Sequence, residues 1–191
     1  FACQVLLSGE DGGPEARRFR FDDCPSVYAH MHLTSQFQLL LNGTMDFPRG
    51  VKHLAAPAIH YTDHKMPYGP FAVGGGHEML VLHPRAGGII SMANKEARRK
   101  INLRGRLYAT LAADAEWQPL PGADGATFKC LMPPDLGPAA VIAKAPAHAA
   151  LTFQQIDHRH ETEHGRREVD RPGVDSIASA LLVRRRQFPL R

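Results

Sequence analysis

Short apolar runs alternate with turn signals through the first half of the chain. Between residues 17 and 92, runs such as RFRF, VYAHMHL, FQLLLNG, AIHYTDH and EMLVLHP are separated by stretches that contain Gly, Pro and Asp. Runs that recur about every ten residues, without helical periodicity between them, are typical of strands in a sandwich or barrel. The pattern therefore predicts an all-β domain.

The Asn42-Gly43 pair is the strongest turn signal in this region. Both central positions of a two-residue primed turn have positive φ, a conformation that Asn and Gly tolerate. We expect the pair to close a hairpin between FQLLL and TMDF.

The rest of the chain departs from this pattern in two places. Residues 91–107, SMANKEARRKINLRGRL, are rich in helix formers and charge and predict a short helix or a loop across the barrel mouth. Weaker strand signals then return in RLYATL, ATFKCLM and AAVIAKA. We interpret 1–155 as a single domain and 156–191 as a polar, basic tail of uncertain order, in which SIASALLV is expected to form a small helix.

Two histidines one residue apart mark the candidate site. Side chains alternate between the two faces of a strand, so His30 and His32 share a face, which an unbroken strand would continue through Thr34, Gln36 and Gln38. Such a face is costly to bury unless its groups are hydrogen-bonded, bound to a metal or hydrated. This cost is a physical argument for a site.

The spacing resembles the first motif of the cupins, which is Gly, five residues, His-x-His, three or four residues, Glu, six residues, Gly. His30, His32, Gln36 and Gly43 occupy its positions, with Gln36 where Glu is usual and Cys24 in place of the first Gly. The resemblance implies a double-stranded β-helix, or jelly-roll barrel, that forms a homodimer. It also implies a divalent metal, Fe, Mn, Ni, Zn or Cu, inside the barrel.

The second cupin motif, Pro-x-Gly-x-x-His, is degraded. Pro67 and Gly69 match its start, but Ala72 stands where the histidine would be. His60 and His64, which share a strand face by parity, are the candidates for the missing ligand. The predicted metal set is thus His30, His32, Gln36, His60 and His64.

Other polar residues are candidates for weaker roles. Tyr61, Asp63 and Tyr68 are expected to contact a substrate, with turn packing as the alternative for the two tyrosines. His77 follows three glycines, which predict a turn, and is therefore a weaker metal candidate. The tail histidines have the spacing HxHxxxH but lie among charged residues, so we expect only adventitious metal binding by His158, His160 and His164.

Composition excludes several function classes. The chain is 43% hydrophobic and 22% charged, and no window approaches the ~20 apolar residues of a membrane span. The net charge of +4 comes largely from short clusters, which does not favour nucleic-acid binding; the basic tail is a candidate contact for an acidic partner. Three cysteines without a CxxC pair predict neither a disulfide framework nor a zinc knuckle and suit a reducing cytoplasm. The start at Phe1 suggests trimming or a fragment.

Two functional hypotheses follow. The first is a metal-dependent cupin enzyme that acts on a small oxygen-rich molecule by dioxygenation, isomerisation or lyase chemistry. The second is a non-catalytic cupin module whose metal site has decayed, as Ala72 suggests, and which binds a small molecule. Metal content discriminates between them.

Overall fold

The computed structural model describes residues 1–22, 26–47, 53–136, 138–146 and 179–184. In these ranges the chain is almost entirely β-structure, with 3-10 helices at Glu10–Gly12, Ala97–Lys100 and Ala112–Asp114. The strands are β1 Ala2–Ser8, β2 Glu15–Phe21, β3 Ser26–Val27, β4 His30–His32, β5 Gln36–Asp46, β6 Leu54–Ala55, β7 Ala58–Thr62, β8 Phe71–His83, β9 Ile89–Ser91, β10 Leu107–Leu111, β11 Gln118–Pro119, β12 Thr127–Met132, β13 Ala139–Lys144 and β14 Ser179–Arg184. The predicted all-β class is confirmed.

The chain divides into two compact units, Phe1–Asp114 and Ala115–Arg191. In the first unit, an antiparallel sheet has the strand order β1-β2-β8-β5-β7-β10, with β3 added to β8 and β6 added to β5. β4 and β9 form a separate antiparallel pair. The domain boundary predicted between residues 155 and 156 lies outside the described residues.

The apolar core of the first unit is built on β5, β6 and β8. Its largest fully buried side chains include Leu40, Met45, Leu54 and Phe71, and Met79 packs with them. Each such side chain contributes roughly 1.5–3 kcal/mol by leaving water. This core holds β5 and β8 side by side.

The predicted hairpin at Asn42-Gly43 is wrong. β5 runs without interruption from Gln36 to Asp46, and its register against β8 shifts on both sides of Asn42. Gly43 has φ 75°, and a Cβ at this position would lie 2.2 Å from the Gly74 carbonyl oxygen. Asn42 and Gly43 therefore form a bulge in a continuous strand, because the positive φ that permits a tight turn also permits a bulge.

The second unit contains an antiparallel sheet with the order β11-β12-β13-β14. Residues 179–184 form β14 and pair with β13, and 179–183 belong to SIASALLV, for which the sequence predicted a small helix. That helix prediction is wrong at these positions, because pairing with β13 outweighs the local helix propensity of the segment. The remainder of the predicted tail lies outside the described residues.

The insertion at 91–107 contains the 3-10 helix Ala97–Lys100, in agreement with a short helix or loop. Within the described ranges, no helix has the length and apolar character needed to cross a membrane.

Candidate functional site

Polar side chains from β4 and β5 meet around the hydroxyl oxygen of Tyr68. Tyr68 precedes β8, and its backbone N–H and C=O both pair with His30 at 3.0 Å. Its hydroxyl oxygen lies 2.7 Å from His30 Nε2, 2.6 Å from Gln36 Nε2, 3.0 Å from Gln38 Nε2 and 3.2 Å from His32 Nε2. His30, His32, Gln36 and Gln38 therefore meet at one phenol, but they belong to two separate strands, β4 and β5, and not to the single unbroken strand that parity assumed.

The cluster is almost completely withdrawn from solvent. Gln36 is 1% exposed and Tyr68 is 4% exposed. Burial raises the pKa of Tyr68 well above its usual range and lowers the pKa of His30. Burial, with the neighbouring imidazoles His30 and His83, lowers the pKa of His32 to about 3. At neutral pH these imidazoles are uncharged, so each has one nitrogen with a free lone pair.

Two of the histidines are held by their Nδ1 atoms with Nε2 facing inward. His30 Nδ1–H donates to the Tyr28 carbonyl oxygen at 2.7 Å, and His60 Nδ1–H donates to Gln38 Oε1 at 2.7 Å. His60 Nε2 is buried and has no hydrogen-bond partner in the described part of the chain. Burial lowers the pKa of His60 to about 3. This anchoring resembles that of metal-binding histidines, whose second nitrogen usually donates to a carbonyl or carboxylate.

Glu15 and His83 extend the cluster and were missed in the sequence. His83 Nδ1 lies 2.9 Å from Glu15 Oε2, and His83 Nε2 lies 3.0 Å from Gln36 Oε1. Arg17 binds the other carboxylate oxygen, Glu15 Oε1, through two nitrogens at 2.8 and 2.5 Å. Glu15 and His83 are 3% and 6% exposed. The available signal was parity, since His83 continues the buried face that includes Val81.

Other predicted site residues lie elsewhere. His64 is exposed, and its backbone N–H donates to Ser35 Oγ at 3.1 Å. Tyr61 donates to Asp63 Oδ1 at 2.6 Å, and Asp63 pairs with Arg106 at 2.8 Å. Burial raises the pKa of Asp63, but hydrogen bonds from Arg106 and Tyr61 outweigh burial and leave it below its usual value. Tyr61 thus hydrogen-bonds to the Asp63–Arg106 ion pair, and neither Tyr61 nor Asp63 is among the groups that surround the Tyr68 oxygen in the described part of the chain.

His77 lies within β8, so its predicted place in a turn is wrong. It is 1% exposed, and its Nδ1–H donates to the Thr44 carbonyl oxygen at 2.8 Å. The three preceding glycines accommodate the irregular pairing with β5 inside the strand, two of them with φ 66°.

The types of side chain in this cluster suit a transition metal. Their arrangement does not by itself form a site of the usual His, Cys, Asp and Glu ligands. His30 and His32 both direct Nε2 at the same oxygen, and the other nearby donors are a phenol and two amides, all of which are known types of metal ligand. The described residues contain no group of three or more His, Cys, Asp or Glu side chains arranged to hold a metal ion. A metal here would therefore need Tyr68 or an amide among its ligands.

Comparisons with known proteins give one structural likeness. No protein-family model matches the chain, and no curated protein matches it. The crystal structure of a candidate dioxygenase from Nostoc punctiforme matches with a TM-score of 0.58 and 15% sequence identity. The match covers 76% of this chain and 52% of the other, so the chain spans about half the length of that protein.

An identity this low shows the fold alone. Together with the antiparallel sheets, the likeness defines a cupin-like, jelly-roll β fold. The predicted fold class is confirmed.

Proposed function

We propose that the chain is a cupin-like, metal-dependent enzyme that acts on a small oxygen-rich molecule. In this proposal, His30, His32 and the Gln36 amide hold a divalent metal beside the Tyr68 hydroxyl. The description of the Nostoc protein as a candidate dioxygenase is in keeping with this class. Dioxygenation, isomerisation and lyase chemistry all remain within the proposal.

The observation that carries the proposal is a shortage of hydrogens in the buried cluster. Five close contacts run from a backbone carbonyl through His30, Tyr68, Gln36 and His83 to Glu15. When the imidazoles are neutral, His30, Tyr68 and His83 supply one hydrogen each, and the Gln36 amide can donate to only one of its two neighbours. Only four hydrogens are thus available for five contacts. In one of the contacts two acceptor atoms therefore face each other with no hydrogen between them.

A cation in the cluster would resolve that opposition. A proton is disfavoured, because burial lowers the pKa of both His30 and His83. Imidazole nitrogens with amide and phenol oxygens suit Fe, Ni, Cu or Zn more than Mg or Ca. When bound, such a metal would polarise a substrate carbonyl or carboxylate, or activate dioxygen if it is iron.

The protein's own residues would set the environment of this centre. His30 is oriented by the Tyr28 carbonyl, and Gln38, held by His60, directs its amide N–H at the Tyr68 oxygen. In the described part of the chain, the side chains around the Tyr68 oxygen are histidines and glutamines, without a carboxylate. A metal ion bound there would therefore keep more of its positive charge than a metal ion with a Glu ligand. His60 is a further candidate ligand, with its ring centroid 5.0 Å from that of Tyr68.

A second candidate function, a non-catalytic small-molecule-binding module, is favoured by the position of Tyr68. Its hydroxyl lies where the Nε2 atoms of His30 and His32 converge, and the residue is 4% exposed. A phenol in this position could stand in for the metal of an enzyme whose site has decayed.

Elemental analysis of the protein purified without an affinity tag tests the first proposal. We expect about one equivalent of a transition metal in the wild type and its loss in the His30→Ala, His32→Ala double variant. His64→Ala is the matched control and should retain the metal, because His64 is exposed and outside the cluster. Equal metal content in the wild type and the double variant would disprove metal binding at this site.

Thermal melts separate the two candidate functions. A metal that binds only the folded chain raises the Tm as its concentration increases, and a chelator reverses the rise. The wild type should respond in this way, and the double variant should not. A wild-type melt that is indifferent to both metal and chelator would favour the binding module.

A further inference from the structure

Three polar residues at the ends of neighbouring strands form a buried line that leads to the site. Glu15 begins β2, His83 ends β8 and Gln36 begins β5, and Glu15 lies directly opposite His83 in the strand register. All three are buried. The line therefore reaches the Tyr68 oxygen through Gln36.

Glu15 determines which nitrogen of His83 carries hydrogen. Its Oε1 accepts from Arg17, and its Oε2 lies 2.9 Å from His83 Nδ1. A carboxylate paired with a guanidinium only accepts hydrogen bonds, so His83 must place its hydrogen on Nδ1. Nε2 of the neutral ring then has a free lone pair directed at Gln36.

That lone pair makes the two orientations of the Gln36 amide unequal. With Oε1 3.0 Å from His83 Nε2 and the amide nitrogen 2.6 Å from the Tyr68 oxygen, two acceptors face each other on the His83 side. A half-turn of the amide exchanges its oxygen and nitrogen without displacing the surrounding atoms. The amide N–H then donates to His83, and Oε1 faces the Tyr68 oxygen.

We infer that Glu15 and His83 are positioning residues that turn the oxygen of Gln36 toward the site. This inference rests on the proposed function, because the half-turn moves the missing hydrogen to the contact between Gln36 and Tyr68, where the metal is proposed. It also gives an amide the role of an oxygen ligand at the position where the cupin motif usually has Glu. The Glu15 carboxylate acts at a distance, through the His83 ring.

The inference makes the effect of Glu15 depend on the identity of residue 36. In Glu15→Gln, residue 15 can donate or accept, so His83 is free to take either tautomer and the Gln36 amide loses its preferred orientation. In Gln36→Glu, both terminal atoms of residue 36 are oxygens, and orientation no longer matters. Glu15→Gln should therefore weaken Zn²⁺ binding in the wild-type background and not in the Gln36→Glu background.

The experiment is a double-mutant cycle of Zn²⁺ affinity, measured by competition with a chromogenic chelator. We expect Glu15→Gln to lower the affinity about 10- to 100-fold in the wild-type background, the range usual for residues behind a metal ligand. In the Gln36→Glu background we expect less than about a threefold change. An equal loss in both backgrounds, as a merely structural role would produce, or no loss in either, would overturn the inference.

A second measurement needs no metal. The ¹⁵N shifts of the imidazoles in metal-free wild-type protein, assigned with His83→Gln, report which nitrogen carries hydrogen. An Nδ1–H tautomer for His83 supports the inference, and an Nε2–H tautomer overturns it. If the wild type binds no Zn²⁺, the proposed function fails, and this tautomer still decides the positioning role of Glu15.

Discussion

Tyr68 has more polar neighbours than its hydroxyl can satisfy. A phenol donates one hydrogen bond and accepts two, yet four polar atoms lie within 3.2 Å of this oxygen. His30 presents a bare nitrogen, so it competes with the other acceptors for the single phenol hydrogen. The residue is therefore both the hub of the cluster and the reason that the cluster favours a cation.

Removing this hub should destabilise the fold. Tyr68→Phe leaves the buried amides of Gln36 and Gln38 without their phenol partner, so we expect a loss of roughly 2–4 kcal/mol in the free energy of unfolding. Urea denaturation measures it. Tyr28→Phe is the control, since Tyr28 is 54% exposed and should change stability by less than about 0.5 kcal/mol. Equal losses of stability in the two variants would contradict the central role of Tyr68 in the cluster.

At the scale of the element, β5 shows why a correct strand face can accompany an incorrect turn. The alternation that places Gln36 and Gln38 on one face is a local property of the strand. In the structure both side chains reach the Tyr68 oxygen. Whether Gly43 closes a turn or forms a bulge depends on the strands that lie beside it. Here β8 runs along β5 on both sides of Gly43, and its own glycines allow the close approach.

Gly43 should therefore tolerate substitution far less than another glycine of similar φ. In Gly43→Ala the new Cβ would meet the Gly74 carbonyl oxygen at 2.2 Å and His77 Cα at 2.8 Å. Gly12 is a matched control, because its φ of 76° is nearly the same and a Cβ there meets nothing within 4 Å. We expect Gly12→Ala to cost about 1 kcal/mol and Gly43→Ala at least twice that amount, measured by thermal or urea unfolding.

Similar losses in the two variants would show that backbone strain alone, without steric overlap, limits position 43. A larger loss for Gly43→Ala would assign the difference to the close packing of β5 on β8.

On the scale of the whole molecule, burial shifts the pKa of several histidines in the first unit. Burial lowers the pKa of His30, His32, His60, His77 and His83. In the unfolded chain these residues regain a pKa near their ordinary value of about 6.5. The unfolded state therefore binds more protons than the folded state once the pH falls below neutrality.

This difference makes stability depend on pH. The contribution of a group with a lowered folded pKa is complete above its unfolded pKa and is lost as the pH falls toward the folded value. For His32 and His60, whose folded pKa is about 3, the loss begins below about pH 7 and continues through pH 5. We expect the free energy of unfolding, measured in urea with chelator present, to fall steadily from pH 7 to pH 5.

One buried histidine should account for part of this slope. His60→Gln should reduce it by up to about 1.4 kcal/mol per pH unit, since His60 is completely buried and one proton fewer is taken up on unfolding. A flat profile between pH 7 and pH 5 in the wild type would contradict neutral, buried imidazoles in the folded state.

Several predictions at this scale remain predictions. A homodimer, a cytoplasmic location and a single domain over 1–155 came from the resemblance or from composition. The structure divides the chain into compact units at Asp114, and the boundary predicted near residue 155 lies outside the described residues. The chain covers about half of the Nostoc protein, so that protein's assembly and activity are not transferred to it.

The sequence by itself determined the all-β class and the faces that His30 shares with His32 and Gln36 shares with Gln38, because each follows from a period of two along a strand. Only the tertiary structure decided that β4 and β5 are separate strands whose faces meet at Tyr68, and that Glu15 and His83 lie behind Gln36. Glu15 and His83 are 68 residues apart in the chain and meet through the pairing of β2 with β8. Pairing and register depend on the whole sheet, so local periodicity cannot specify which distant polar residues meet.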